Sequence, residues 1–306
     1  MSKISTAIYT LKHDKKTFFA SLVLCFGFLF PNEVYLRLLF WLKVGYKLDF
    51  TNPKTYNEKL QWLKLYYHKP EFHKMVDKFE VKELVAKLIG PEFIIPTYGI
   101  WDSIRDIEWE ALPNQFVLKT THGGGGGGIV ICKDRESFKY QEAKKVLRRS
   151  YCQDIYRNYR EWPYKGLKKR IIAEKYIQEE GSPFLHDYKV MCFNGKAKLI
   201  EYHEGRYTSQ HTQDFYDTDW NLTSITQGSY GLNNTIVAER PVLLEQMISL
   251  SEVLAKGLPH IRVDWYIVNN RLYFGELTFF DGSGLCPFDK YEDDLMLGSW
   301  IDEKNG

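Results

Sequence analysis

Residues Phe116–Cys132 read FVLKTTHGGGGGGIVIC: an apolar run closed by a lysine, six consecutive glycines, then a second apolar run. Each glycine costs roughly 0.5–1 kcal/mol relative to alanine in a regular element, so six cost about 3–6 kcal/mol. Total stabilities are only about 5–15 kcal/mol. A flexible linker is the plain alternative, but linkers are normally polar-flanked, and this one joins two β-like runs. A strand, glycine loop and strand can instead close over a phosphate chain with backbone N–H groups alone. Gly123, Gly124, Gly125, Gly126, Gly127 and Gly128 are therefore expected to bind phosphate. No Lys-Ser or Lys-Thr follows them, which excludes a Walker A loop. Lys119, closing the first run, supplies a mobile point charge beside the loop. His122 either touches a phosphate or ends the strand. A second lysine, Lys78 in VDKF, sits in a stretch whose apolar periodicity predicts one amphipathic helix from residue 71 to Gly90-Pro91.

Working outward, residues 52–68 (NPKTYNEKLQWLKLYYH) predict another capped helix, and β-rich runs follow at 116–119, 129–132, 170–177 and 188–193. A helical stretch around 136–151 interrupts them. Asn194-Gly195 signals a tight hairpin. A helix around 239–256 precedes a final strand pair, IRVDWYIV and RLYFGEL. Helices mixed with antiparallel hairpins indicate an α+β fold.

The last hairpin offers two registers. If Asn269-Asn270 is a two-residue turn, Val268 pairs with Arg271 and Asp264 with Gly275. If the loop also takes in Arg271, Asp264 faces Glu276 and Arg262 faces Thr278, leaving Val263, Trp265, Ile267, Tyr273, Leu277 and Phe279 on an apolar face. The second register is expected. Two carboxylates about 5 Å apart repel unless a cation joins them, and paired carboxylates that also meet phosphates suit Mg²⁺. A competing signal is Asp217-Thr218-Asp219, a D-x-D of the kind metal-dependent glycosyltransferases use; a turn is the plain reading.

Composition narrows the classes. The 306 residues hold 41 Lys plus Arg against 39 Asp plus Glu, with 44% hydrophobic residues, which fits a globular chain and argues against nucleic acid as the main partner. The balance conceals a basic stretch at 133–170, with 13 basic and 5 acidic residues, and an acidic end from 264, with 3 and 9. These are expected to be the phosphate side and the metal side of one site. Cys25, Cys132, Cys152, Cys192 and Cys286 are odd in number and contain no C-x-x-C, pointing to a reducing compartment. The apolar run 18–30 is shorter than the roughly 20 residues that cross a bilayer, so it is expected either to dock on the domain or to lie at a membrane surface.

Taken together, FTNPKTYNEKLQWLKL, MVDK, FVLKTTHGGGGGGIVICKD, EKYI, DYKVMCFNGK, FYDTDW and IRVDWYIVNNRLYFGELTFF, spread over roughly residues 48–290, resemble the TupA-like group of the ATP-grasp superfamily, associated with bacterial surface-polysaccharide and teichuronopeptide synthesis. The resemblance implies ATP clasped between two α+β subdomains within residues 71–300, under a lid at about 115–175, behind a helical region at 1–70. It implies that Lys78, Lys119 and Lys189 face the phosphates and that Glu174, Lys175, Tyr176 and Ile177 form the adenine hinge. Asp187 would hold the ribose, in competition with Glu179 and Glu180. Arg206 and Arg262 would stabilise the transferring phosphate, and Asp264 and Glu276 would hold the metal, as two Mg²⁺ ions. Thr278 stands where many relatives carry asparagine, so Thr278 or Asp281 would complete that shell.

The implied activity is ATP-dependent carboxylate–amine ligation through an acyl phosphate, joining an amino acid or other amine to a uronic-acid carboxylate of a surface polysaccharide. The expected location is cytoplasmic, at the inner face of the membrane, with peripheral contact through the N-terminal helices. The alternatives are a glycosyltransferase built on Asp217 and Asp219, and a nucleotide- or glycan-binding protein without turnover.

Overall fold

Thr55 decides where the first core helix starts. In the computed structural model, which describes residues 14–124, 127–179, 181, 185–205, 208, 211–228 and 236–302, the Thr55 side chain accepts from the Glu58 N–H, and Glu58 reaches back to the Thr55 N–H. This reciprocal cap opens the helix Tyr56–Tyr66. It is preceded by α1 (Lys15–Phe26) and α2 (Asn32–Val44), and is numbered α3.

The single helix expected from residue 71 is instead two, α4 (Phe72–Val76) and α5 (Glu80–Ile89). Asp77 breaks it: its backbone is extended, and its Oδ1 accepts from the N–H groups of Phe79 and Glu80, capping α5. Lys78 is thereby released from helical geometry, and its N–H donates to the Thr121 carbonyl at 2.9 Å.

Among the described residues, nine strands follow in two antiparallel sheets. The smaller has the order β1-β4-β2-β3, from Thr97–Trp101, Phe116–Thr120, Val130–Cys132 and Ile171–Lys175 in chain sequence. It is backed by α6 (Tyr140–Tyr151), which buries Ala143 and Leu147 against Phe116 and Leu118. A short helix, α7 (Ile155–Tyr159), leads towards β4. The larger sheet has the order β7-β6-β5-β8-β9, from β5 (Asp187–Phe193), β6 (Lys196–Glu204), β7 (Thr212–Tyr216), β8 (His260–Val268) and β9 (Arg271–Thr278). Its core face packs on α8 (Leu244–Leu254), where Trp265 Nε1 donates to Ser251 Oγ at 2.8 Å. The closing helix α9 (Tyr291–Ser299) lies on the start of α3. The α+β class and the N-terminal helices are as expected.

The last hairpin takes neither register in full. Asn269 and Asn270 both have positive φ and form a two-residue turn, with Val268 opposite Arg271. A bulge at Gly275 then inserts one residue, so that Asp264 faces Glu276 and Arg262 faces Thr278. The carboxylate pair is as expected; the turn is not. The bulge also moves Tyr273 off the apolar face, opposite Tyr266, and places Leu272 and Phe274 in the core beside Ile267 and Trp265.

Candidate functional site

Four strands of the larger sheet bring Glu201, Lys189, Asp264 and Glu276 side by side in one row. Strand alternation explains the pattern: Lys189 is flanked by Tyr188 and Val190, and Asp264 by Val263 and Trp265, so the charged residues share one face while the apolar ones fill the other. Lys189 Nζ lies 2.7 Å from Asp264 Oδ2 and 2.8 Å from Asp187 Oδ2. Arg262, two residues before Asp264, forks onto it through Nε at 2.7 Å and Nη2 at 2.8 Å. The same guanidinium donates to Asp281 and, at 3.3 Å, to Thr278 Oγ1.

Lys78 joins this row to the glycine loop. Its Nζ donates to the Gly123 carbonyl at 2.8 Å and to Glu276 Oε2 at 2.7 Å. Burial alone would raise the Glu276 carboxyl, but Lys78 and Arg262 outweigh it and hold the group well below the usual carboxylate range. Glu201 behaves likewise: burial opposes, while His203, Arg262 and Lys189 lower it. Asp281 goes the other way, pushed up to about 6 by burial and by the charge of Glu201, against the pull of Arg262.

Lys119 and Glu174 form a separate centre. Glu174, nearly fully buried, pairs with Lys119 at 2.6 Å and Lys82 at 2.5 Å. The two lysines overcome the cost of burial and keep it ionised. Lys119 therefore has a carboxylate partner of its own, and Lys82 is a further lysine that sequence reasoning missed.

A cavity of about 490 Å³ lies between Gly124 and Gly127 of the loop and the charged row. Lys189, Arg262, Glu276 and Thr278 line it, and so do Glu161, Glu201, His203 and Asp281, of which only Asp281 figured in the sequence argument. The missed signal was strand alternation in KLIEYHE: Glu201 and His203 occupy alternate positions of β6, on the face of Lys189. The side chains of Lys78, Lys119, His122, Asp187, Asp264 and residues 174–177 lie outside its lining. The basic stretch 133–170 contributes Gln153, Ile155, Asn158, Tyr159, Glu161 and Tyr164 but no lysine or arginine, which corrects the expectation that it forms the phosphate side. Three of those cations are spent elsewhere: Arg170 on Asp77 and Glu80, Arg135 on Glu110, and Arg160 on Asn32 and the Gly27 carbonyl. His122 is buried, and burial with the charge of Lys169 brings its imidazole down to about 4, leaving a neutral ring with no charge to offer a phosphate. Gly125, Gly126, Glu180 and Arg206 lie outside the described residues.

Among the described residues, no three His, Cys, Asp or Glu side chains form a metal-binding group. Mg²⁺, however, is usually held by one or two carboxylates, completed by phosphates and water. Asp264, Glu276 and the Thr278 hydroxyl supply oxygen ligands of that kind. Asp187, Glu201, Asp264, Glu276 and Asp281 also outnumber the cations Lys78, Lys189 and Arg262, five to three. The residues fit the ion.

The competing D-x-D forms a turn. Asp217 Oδ1 accepts from the N–H groups of Asp219 and Asn221, and Oδ2 accepts from Asn221 Nδ2, so both oxygens hold the turn together, while Asp219 is exposed.

A family model described as TupA-like ATPgrasp matches residues 58–302. The chain belongs to the TupA-like ATP-grasp family. Among solved structures, the D-alanine–D-alanine ligase from Bacillus anthracis complexed with ATP is 15% identical over 67% of this chain, with a TM-score of 0.41. This chain spans 55% of that ligase's length. The D-alanine–D-alanine ligase from Helicobacter pylori is 13% identical, covering 81% of this chain and 70% of its own, with a TM-score of 0.43. The biotin carboxylase domain of the Hydrogenobacter thermophilus 2-oxoglutarate carboxylase, in complex with magnesium ADP and bicarbonate, is 19% identical, covering 67% and 40%, with a TM-score of 0.38. Likenesses at these scores carry no argument about chemistry, and the assignment of this TupA-like ATP-grasp protein rests on the family model. A comparison with curated proteins gave no match.

Proposed function

We propose that this TupA-like protein is an ATP- and Mg²⁺-dependent carboxylate–amine ligase, joining an amino acid or other amine to a sugar-acid carboxylate of a bacterial surface polysaccharide. The observation that carries the reading is the row Glu201–Lys189–Asp264–Glu276, of which Glu201, Lys189 and Glu276 line a cavity under the glycine loop. Residues 71–300 form the ATP-binding unit, with the lid at about 115–175. Lys78 and Lys189 face the β- and γ-phosphates, Lys119 the phosphates nearer the lid sheet, and residues 174–177 the adenine. Asp264 and Glu276, with Thr278, hold two Mg²⁺ ions. The bound metal neutralises charge that builds during phosphoryl transfer. Arg262 orients Asp264 and, with Arg206, meets the transferring phosphate; the glycine loop excludes water from the acyl phosphate. The fully engaged Asp217 carboxylate tells against the glycosyltransferase reading.

Hydroxylamine tests the intermediate, because it attacks an acyl phosphate in place of the amine. Incubation with ATP, Mg²⁺, a uronic acid and hydroxylamine is expected to give a hydroxamate and ADP in equal amounts. No hydroxamate, together with consumption of a nucleotide sugar supplied in a parallel incubation, would contradict the ligase and support the rival.

A further inference from the structure

Helices α1 and α2 pack on each other through one side of α1 only. Ala20, with half-buried Val23 and Leu24, meets Tyr35, Leu36, Leu39 and Phe40. On another side of α1, Phe19, Leu22 and Phe26 are spaced as a helical stripe and are 49%, 37% and 51% exposed. Phe28 and Leu29, in the turn that follows, are 64% and 65% exposed, and Trp41 of α2 is 52% exposed. Single exposed apolar residues need no explanation, but five large ones on one short helix and the turn that follows it mark a surface for interaction.

The charges around the cluster choose its partner. Lys15 and Lys16 open α1, and Lys47 follows α2, all exposed. The nearby acids are engaged: Asp14 caps α1 through the Thr17 N–H, and Glu33 pairs with Arg37. A basic rim around an apolar stripe complements an anionic lipid surface, whereas a second copy would bring like charges together. At 12 residues α1 is too short to span, and no helix among the described residues is long and apolar enough to cross a membrane.

The same helices are tied to the site. Tyr35 OH donates to the Asn158 carbonyl at 2.6 Å, and Arg160 Nη2 to the Gly27 carbonyl at 2.7 Å. Tyr159 and Leu285 belong both to this packing cluster and to the cavity lining, and Lys43 of α2 also lines the cavity. We propose that Phe19, Leu22, Phe26, Phe28, Leu29 and Trp41 seat the protein on an anionic bilayer surface, so that the cavity receives an acceptor carried on a lipid. The docking stands on the exposed surface alone; the nature of the acceptor rests on the ligase reading above.

Docking is tested on the full chain without nucleotide or acceptor, so its outcome is independent of ligase activity. Co-sedimentation is measured with phosphatidylcholine vesicles and with vesicles of phosphatidylcholine and phosphatidylglycerol. Binding to the mixed vesicles is expected to be about tenfold tighter and to weaken with salt. The exposed pair Phe28→Ser/Leu29→Ser is expected to lose about tenfold in affinity while keeping the wild-type melting temperature; Phe19→Ser/Phe26→Ser is the second variant should the first fail to fold. Equal binding by variants and wild type, absence of binding to either vesicle, or a dimer in sedimentation velocity that the substitutions dissolve would each overturn the proposal.

Discussion

Lys78 shows how much one residue's position depends on its neighbour. The sequence marks it as a lysine worth noticing, yet the helical periodicity that surrounds it hides the Asp77 break that aims it at both Gly123 and Glu276. Asp264 and Glu276 were legible because alternation in two strands of one hairpin fixes a shared face. Glu201 and His203 were overlooked because nothing local distinguishes a β6 face until Lys189 is seen across from it. His260 carries a pH prediction. It is buried, its Nδ1 donates to the Cys192 carbonyl at 2.9 Å, and its Nε2 accepts from Tyr56 OH at 3.0 Å, so a second proton has no acceptor. Burial brings the ring from 6.5 down to about 3. Between those values the unfolded chain binds the proton and the folded one does not, so stability is full above about pH 6.5 and falls on acidification by about 1.4 kcal/mol per unit. Urea titrations of wild type and His260→Gln at pH 7 and pH 5 are expected to show a loss smaller by about 2 kcal/mol in the variant. Identical losses would contradict the assignment.

At the scale of elements, the β8–β9 hairpin holds the main lesson. The two-residue turn and the Asp264–Glu276 pairing looked mutually exclusive, because plain strand counting allows no extra residue. Gly275 supplies it. An added Cβ there would lie 3.1 Å from the Asp264 carbonyl oxygen and 3.3 Å from Asp264 Cβ, so the site strand and not a flexible tip would have to yield. Gly275→Val is expected to cost about 1–3 kcal/mol of stability and to reduce ligase activity at least tenfold at a temperature where the variant remains folded. Thermal melts followed by activity assays decide it; unchanged activity would mean that the bulge does not set the carboxylate pair. Elements with local chemistry were the readable ones: the Thr55–Glu58 cap and the Asn194-Gly195 turn both appear where their residues predict them.

At the scale of the molecule, the helices, hairpins and fold class were recoverable from sequence, whereas charge segregation proved a poor guide to the site. The basic stretch 133–170 puts no lysine or arginine into the cavity lining, and the cations of the charged site, Lys78, Lys189 and Arg262, come from residues far apart in the chain. Sheet topology brings Lys189 and Arg262 together, and the helix break at Asp77 adds Lys78. The central claim is that this convergence performs ATP-dependent ligation at Asp264 and Glu276, and the direct measurement is phosphate release from ATP and Mg²⁺. With wild type, release is expected only when a uronic acid and an amine are both present, and Asp264→Asn, with an unchanged melting temperature, is expected to lower it by at least about 100-fold. Intact ATP with every acceptor pair, or full release by Asp264→Asn, would contradict the claim.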